Sequence, residues 1–166
     1  MREPGGKEPA WLPRLAVETI HRELVRKHGG SFGLRDEGCL EAALDRPRNR
    51  WADGEDPSLA ELAAVYADGL VRNHPFVDGN KRIALMAAYV FLELNGRELN
   101  APEPEAVVMM VALNSGEASV EEFAAWVRQN LPAFGGIGRQ PRKSDPARAP
   151  TTVTRTVTWP PTSQRN

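Results

Sequence analysis

The sequence is organised around the stretch His74-Pro-Phe-Val-Asp-Gly-Asn-Lys-Arg82, which leads directly into ten apolar residues, Ile83 to Leu92. A run that is apolar on every side predicts a buried helix. A loop that feeds such a helix leaves unpaired backbone N–H groups at its start, with the positive end of the helix dipole behind them. We therefore predict an anion site, suited to phosphate, where the loop enters the helix.

Three side chains of this loop have separate predicted roles. His74 can accept a proton from an incoming hydroxyl, although a histidine at a helix end is also a common structural or solvated residue. Asp78 offers the oxygen ligand that Mg²⁺ takes beside bound phosphates, although it also suits a helix cap. Phe76 is apolar within a polar loop, so we predict that it anchors the loop and turns His74 and Asp78 outward.

The end of the motif predicts contacts with phosphate. Gly79 lets the backbone approach an anion, although a bare turn also needs glycine. Asn80, Lys81 and Arg82 place an amide and two cations on the first helical turn, where the dipole disfavours each cation by about 0.3–1 kcal/mol. A bound phosphate removes that conflict, with Arg82 suited to bidentate contact and Lys81 to a mobile point charge.

Apolar spacing and capping signals predict an all-α fold, a compact bundle of about six helices around the central apolar helix. The first helix follows Leu12 and stops at Gly29-Gly30. Asp36 caps a short second helix that Arg46-Pro47 ends. The other boundaries are a capping box at Ser58 and Glu61, a stop at Asn95-Gly96, an opening at Pro104, a stop at Gly116, and a second capping box at Ser119 and Glu122.

Composition divides the chain into three parts. Residues 1–10 form a polar, Pro/Gly-rich N-terminus that we predict to be flexible, and residues 11–133 form the helical domain. Residues 134–166 are a basic segment rich in Pro, Thr and Arg with few large apolar residues, so we predict a disordered tail. Within that tail, the two-residue alternation from Thr152 to Trp159 suits a strand.

Charge and size limit the classes of function. The 166 residues are 41 % apolar, which is enough for one buried core. The segment from Phe134 onward holds six of the 21 Lys and Arg but one of the 22 Asp and Glu, which leaves the rest with 15 basic and 21 acidic residues. An acidic body argues against direct DNA binding by the helical domain. Cys39 is the only cysteine, and no apolar run is long enough to span a membrane, so a reducing cytoplasm is expected.

The loop also carries a family resemblance. It resembles the signature of the Fic/Doc superfamily, His-x-Phe-x-Asp/Glu-Gly/Ala-Asn-Gly/Lys-Arg. The similarity runs from about Leu12 to Leu131, because the stretch from Gly33 to Pro47 also resembles the segment that precedes the core in Doc-like toxins. The resemblance implies that His74 is the catalytic base, that Asp78 holds Mg²⁺, and that ATP is bound by the turn that follows.

In Fic-like proteins, a flap aligns the target peptide through strand-like pairing. The predicted loop from Arg46 to Pro57 is similar in position, so Arg48, Arg50 and Trp51 are candidate target-binding residues of such a flap. The alternative is an ordinary solvated loop with a buried Trp51.

The signature fits two chemistries. Fic-type enzymes transfer AMP from ATP to a hydroxyl, and their motif has a second glycine and a further arginine where this chain has Lys81 and Leu85. Both differences resemble the Doc (death-on-curing) branch, whose members move the γ-phosphoryl group of ATP onto a threonine of elongation factor Tu. Pro75 and Gly79 match both branches.

A Doc-like toxin of a type II toxin–antitoxin pair implies a separate inhibitor. The inhibitory string of Fic-type proteins, Ser/Thr-x-x-x-Glu-Gly/Asn, is absent from the sequence. We therefore expect inhibition by a Phd-like antitoxin whose disordered tail folds on binding. The remaining alternative is a catalytically inactive module that only binds an antitoxin.

Overall fold

Six α-helices account for most of residues 6–132, which are the residues described by the computed structural model of the chain. They are α1 Arg14–His28, α2 Glu37–Ala52, α3 Leu59–Asn73, α4 Asn80–Leu94, α5 Glu103–Ser115 and α6 Val120–Gln129. Within this range, extended pairing is limited to one isolated antiparallel bridge, between Leu34 and Phe76. The predicted all-α bundle of about six helices is confirmed.

The tail predicted from residue 134, with its strand at 152–159, lies outside the described residues. So does the first half of the N-terminal segment. The described part of that segment lies against the helices, since Pro9 is buried and the backbone of Ala10 exchanges two hydrogen bonds with the Asn95 side chain.

Local capping chemistry sets the helix starts. Both predicted capping boxes are present, because the Ser58 and Ser119 side chains accept from the third residue of their helices while Glu61 and Glu122 return the bond. The carboxylate of Asp36 accepts from the Cys39 N–H at 2.9 Å. Each bond satisfies a backbone donor that the helix leaves open, which typically contributes about 1 kcal/mol.

The second helix is longer than predicted, because it continues through Pro47 to Ala52. Ending the helix at Arg46-Pro47 was therefore wrong. Proline inside a helix costs about 3 kcal/mol, since it lacks the N–H that would bond the Ala43 carbonyl. The buried face of the helix nevertheless continues past it, with Leu40, Leu44 and Pro47 buried and Trp51 partly buried at helical spacing. Packing of that face against α3 outweighs the local cost.

The central position is shared by α3 and α4. As predicted, α4 is buried over most of its surface. The helix α3 was assigned one apolar face but is buried on nearly all sides, and it packs against α2, α4, α5 and α6. Small residues make this possible, since Gly69 comes so close to α2 that a Cβ there would lie 3.2 Å from the Ala43 carbonyl oxygen.

The fifth helix buries Ala106, Met110 and Leu113 and leaves Val108 and Val111 exposed to solvent. Its ends are those predicted, with acidic residues in the first turn and a left-handed Gly116 after the last. In the part of the chain that the structure describes, no helix combines the length and hydropathy needed to cross a bilayer.

Replacing Gly69 by alanine should destabilise the fold by up to about 2 kcal/mol, because the added methyl overpacks the contact between α2 and α3. This net value is an overpacking cost of about 1–3 kcal/mol less the gain of about 1 kcal/mol that alanine brings to a helix interior. Urea unfolding followed by circular dichroism measures the difference. A variant more stable than the wild type would show that the two helices can separate at no cost.

Candidate active site

The motif loop joins the end of α3 to the start of α4 and is bounded by two left-handed residues. His74 caps the end of α3 with φ 48°, and Gly79 precedes the first residue of α4 with φ 75°. Such a conformation strains a residue with a Cβ by roughly 1–3 kcal/mol, so His74 must be held by its surroundings. The imidazole of His74 and the carboxylate of Asp78 belong to exposed residues.

Phe76 lies beneath the loop, 2 % exposed. Its backbone is fixed by the Asn80 side chain, which accepts from the Phe76 N–H at 3.0 Å and donates to the Phe76 carbonyl at 2.9 Å. Asn80 was predicted to bind phosphate, yet its side chain is buried and engaged on both atoms. Its remaining contribution to an anion site is its backbone N–H at the start of α4.

A neighbouring segment, Gly33–Asp36, runs antiparallel to the loop. The Pro75 carbonyl accepts from the backbone N–H groups of Arg35 and Asp36, and Val77 donates to the Gly33 carbonyl. The Arg35 guanidinium donates to the His74 carbonyl at 2.6 Å and to the Asn73 carbonyl at 2.9 Å. These bonds satisfy the last carbonyls of α3 and fix the backbone at His74.

Asp78 is held by two backbone donors. Its carboxylate accepts from the Gly79 N–H at 2.8 Å and from the Ser31 N–H at 3.3 Å. The chain after α1 passes so close that a Cβ on Gly30 would lie 2.6 Å from Asp78 Oδ2. Gly30, predicted only as a helix stop, therefore makes room for the carboxylate.

His21, on α1, lies directly under the loop and was not predicted as a site residue. It is 3 % exposed, its ring stacks on Phe76 with centroids 3.8 Å apart, and its Nε2 lies 2.7 Å from the Asp78 carbonyl oxygen. Burial lowers the pKa of His21, although the bond to Asp78 opposes this effect. The neutral ring therefore donates from Nε2–H, since a carbonyl can only accept.

The start of α4 carries a positive field. Its first turn contains no acidic residue, Lys81 is exposed, and Arg82 is buried with Nη1 donating to the Gly29 carbonyl at 3.2 Å. Burial, followed by the charges of Arg82 and Lys27, lowers the pKa of His28. Together with the backbone N–H groups of the first turn, these cations favour an anion.

The three candidate flap residues do not lie beside the motif loop. Arg48, Arg50 and Trp51 belong to α2, so the loop predicted for them is wrong. The first part of α2 lies beside the motif, because the Cys39 carbonyl accepts a hydrogen bond from the Asn73 side chain. Trp51 lies about 18 Å further along the axis of the same helix.

These three side chains are engaged in the fold at that end of the molecule. They lie on the Trp11 ring (Arg48), in an ion pair with Glu55 (Arg50) and against the core (Trp51). A helical backbone there has no open strand edge to pair with a target peptide. The segment that does pair with the motif loop in strand fashion is Gly33–Asp36.

This geometry defines a class of protein: a helical domain in which an exposed histidine and an exposed carboxylate lie beside the positive start of a buried helix. The family model that matches the chain, over residues 11–92, is that of the Fic/DOC family. The chain is also 36 % identical over 111 residues to the protein named "Protein kinase doc" of Escherichia phage P1, a match that covers 67 % of this chain and 87 % of that protein. The chain belongs to the Fic/DOC family.

Two further relatives differ in how much they align. The "Toxin Doc" of Mycolicibacterium smegmatis is 47 % identical over 75 residues, which are 44 % of this chain and 57 % of that toxin. An isoleucine–tRNA ligase of Nitratidesulfovibrio vulgaris is 35 % identical over 88 residues, but these are only 9 % of the ligase. The predicted resemblance to Doc-like toxins is confirmed.

Acid should weaken the fold partly through His21. Because its pKa is lowered on folding, the unfolded chain takes up the proton first as the pH falls below about 6.5, so this contribution to stability is present above that pH and lost below it. The free energy of unfolding of the wild type should therefore drop more between pH 7 and pH 5 than that of His21→Gln. Urea unfolding at both pH values measures this. Equal drops would contradict the burial of a neutral His21.

Proposed function

We propose that the protein is a Doc-like toxin that transfers the γ-phosphoryl group of ATP to a serine or threonine hydroxyl of a translation factor. The observation that carries this proposal is the division of the motif loop. Phe76 and Asn80 are buried and fix the backbone, while His74 and Asp78 are exposed beside the positive start of α4. Such positioning and charge neutralisation are what phosphoryl transfer requires.

In the proposed reaction, His74 accepts the proton of the target hydroxyl as its oxygen attacks the γ-phosphorus of ATP. The bond between that phosphorus and the β–γ bridging oxygen breaks, and ADP leaves. The backbone N–H groups of the first turn of α4, which begins at Asn80, stabilise charge on the phosphate oxygens together with the Lys81 and Arg82 side chains. Arg35 supports this geometry by fixing the His74 backbone.

The Asp78 carboxylate fits a Mg²⁺ ligand. Two backbone N–H groups hold it in place, the residue is exposed, and it adjoins the anion site. Oxygen donors from one carboxylate, the nucleotide and water are the set that Mg²⁺ usually takes. When bound, the ion would neutralise phosphate charge.

Two positions support phosphoryl transfer over AMP transfer. Leu85, which replaces the second arginine of the AMP-transferring signature, is 1 % exposed and packed in the core. Lys81, which replaces the second glycine, is exposed on the first turn of α4. Compared with the AMP-transferring signature, the chain lacks the cation at position 85 and gains one at Lys81. The positive charges that would neutralise the triphosphate therefore lie in different positions, as the resemblance to the Doc branch implies.

The target and inhibitor follow from the same proposal. The similarity to one protein named as a kinase and to another named as a toxin supports a kinase that acts as a toxin and is paired with an antitoxin. For the finer assignments we rely on the resemblance to the Doc branch, which implies elongation factor Tu as the target and a Phd-like antitoxin as the separate inhibitor. With these partners, we expect the activity to be cytoplasmic.

ATP labelled at either the α- or the γ-phosphate, added with the purified protein to a translation extract, tests the reaction. We expect γ-label on one protein of the extract and no α-label, and mass spectrometry then identifies the target. His74→Ala should reduce labelling by about 100-fold or more. Transfer of α-label would make the protein an AMP transferase. Absence of both labels would leave a binding module.

Replacing Gly30 by alanine should weaken the affinity for Mg²⁺ with bound ADP by about tenfold, because the new methyl displaces the Asp78 carboxylate. Isothermal titration of ADP with and without Mg²⁺ measures the effect. Gly29→Ala is the matched control, since Gly29 also has a positive φ but a Cβ there meets no atom within 4 Å. Equal Mg²⁺ affinities in the two variants would contradict the proposal that Asp78 is a Mg²⁺ ligand.

A further inference from the structure

His21 is the one buried histidine among the described residues and has no role in the proposed reaction. It lies 57 positions before Asp78 in sequence, yet its Nε2 is 2.7 Å from the Asp78 carbonyl oxygen. A Cβ on Gly79 would lie 3.4 Å from the same nitrogen. The imidazole therefore faces the peptide unit that joins Asp78 to Gly79.

The orientation of that peptide unit decides what the loop presents to a ligand. In a planar trans peptide, the C=O and N–H groups point in opposite directions. Because His21 holds the Asp78 carbonyl toward α1, the Gly79 N–H is directed away from α1, where it donates to Asp78 Oδ1 at 2.8 Å. The hydrogen bond from His21 beneath the loop thus fixes the orientation of the Gly79 amide and, through it, the position of the Asp78 carboxylate.

The alternative orientation is accessible to this backbone. Turning a peptide unit over changes ψ of the first residue and φ of the second, and a glycine at the second position tolerates either sign of φ. Turned over, the unit would aim the Asp78 carbonyl oxygen at the anion site and withdraw the Gly79 N–H from the Asp78 carboxylate that it holds. A partial negative charge would then face the phosphate.

We propose that His21 is a positioning residue, which locks the Asp78–Gly79 peptide in the orientation that binds phosphate and Mg²⁺. The stacked Phe76 ring, tilted by 12° at 3.8 Å, holds the imidazole so that Nε2 faces the carbonyl. Phe76 is in turn fixed by Asn80. This inference rests on the proposed function, because the orientation of the peptide affects binding only if a nucleotide occupies the motif loop.

Three substitutions separate the hydrogen bond from packing. His21→Phe keeps an aromatic ring on Phe76 and removes the donor. His21→Gln loses the ring and keeps an N–H at about the reach of Nε2. Val25→Ala is the control, since Val25 is buried below the same glycine, 3.8 Å from the position of a Cβ, and has no polar atom.

Two measurements follow on each variant: the affinity for Mg²⁺ and ADP by titration, and the amide signal of isotopically labelled Gly79 by NMR. In His21→Phe the affinity should fall by about tenfold and the Gly79 amide should move, because an unsatisfied buried carbonyl favours the turned peptide. His21→Gln should stay within about threefold of the wild type, and Val25→Ala within about twofold. If His21→Phe does not fold, His21→Asn, whose amide is one methylene shorter than that of Gln, takes its place with the same expectation.

A wild-type affinity and an unmoved Gly79 amide in the donor-free variant would overturn the proposal. Equal losses in the donor-free variant and in Val25→Ala would also overturn it, because packing would then be the cause. The outcome is separable from the proposed function. If the wild type transfers neither label of ATP, the reaction is wrong, and the position of the Gly79 amide still shows whether His21 holds the peptide.

Discussion

The geometry of the site depends on the pair of hydrogen bonds between the Asn80 side chain and the Phe76 backbone. They close the motif loop onto the first residue of α4 in a buried environment, where an amide that lost its partners would cost about 1–3 kcal/mol per group. Because the backbone that Asn80 binds belongs to Phe76, whose side chain is buried in the core, the loop and the core are fixed together. The exposed residues His74 and Asp78 are attached to the ring that these two hydrogen bonds close.

Three parts of the chain brace that ring from different sides. His21 of α1 supports the Asp78–Gly79 peptide, Arg35 fixes the His74 backbone, and Gly30 leaves the space that the Asp78 carboxylate occupies. All three lie within a short stretch before α2, far from the motif in sequence. The His74 backbone and the Asp78 carboxylate are therefore held in place although both residues are exposed, which is what the preorganised electrostatic stabilisation of the proposed reaction requires.

Local signals in the sequence were sufficient for most of the fold. The capping boxes at Ser58 and Ser119 and the stops at Gly29 and Gly116 act within a few residues, so the helix boundaries they set could be read directly. The continuation of α2 through Pro47 could not be predicted in this way, because it depends on packing against α3, which the neighbouring sequence does not reveal. The same limit explains the misplaced flap.

The motif itself was recognisable, but the residues that hold it were not. His21 resembles any histidine on a helix, and Gly30 resembles a helix stop, since nothing nearby in sequence records that the chain returns to them more than 45 residues later. Asn80 carried a signal that was assigned to the ligand, whereas its amide serves the backbone.

The order of these parts along the chain has a consequence for synthesis. The bracing residues leave the ribosome before the loop, whereas Asn80 and α4 follow it. A nascent chain that stops short of α4 already carries the histidine and the carboxylate but has neither the ring closure nor the positive helix start. The candidate site is therefore complete only after the fourth helix has been synthesised.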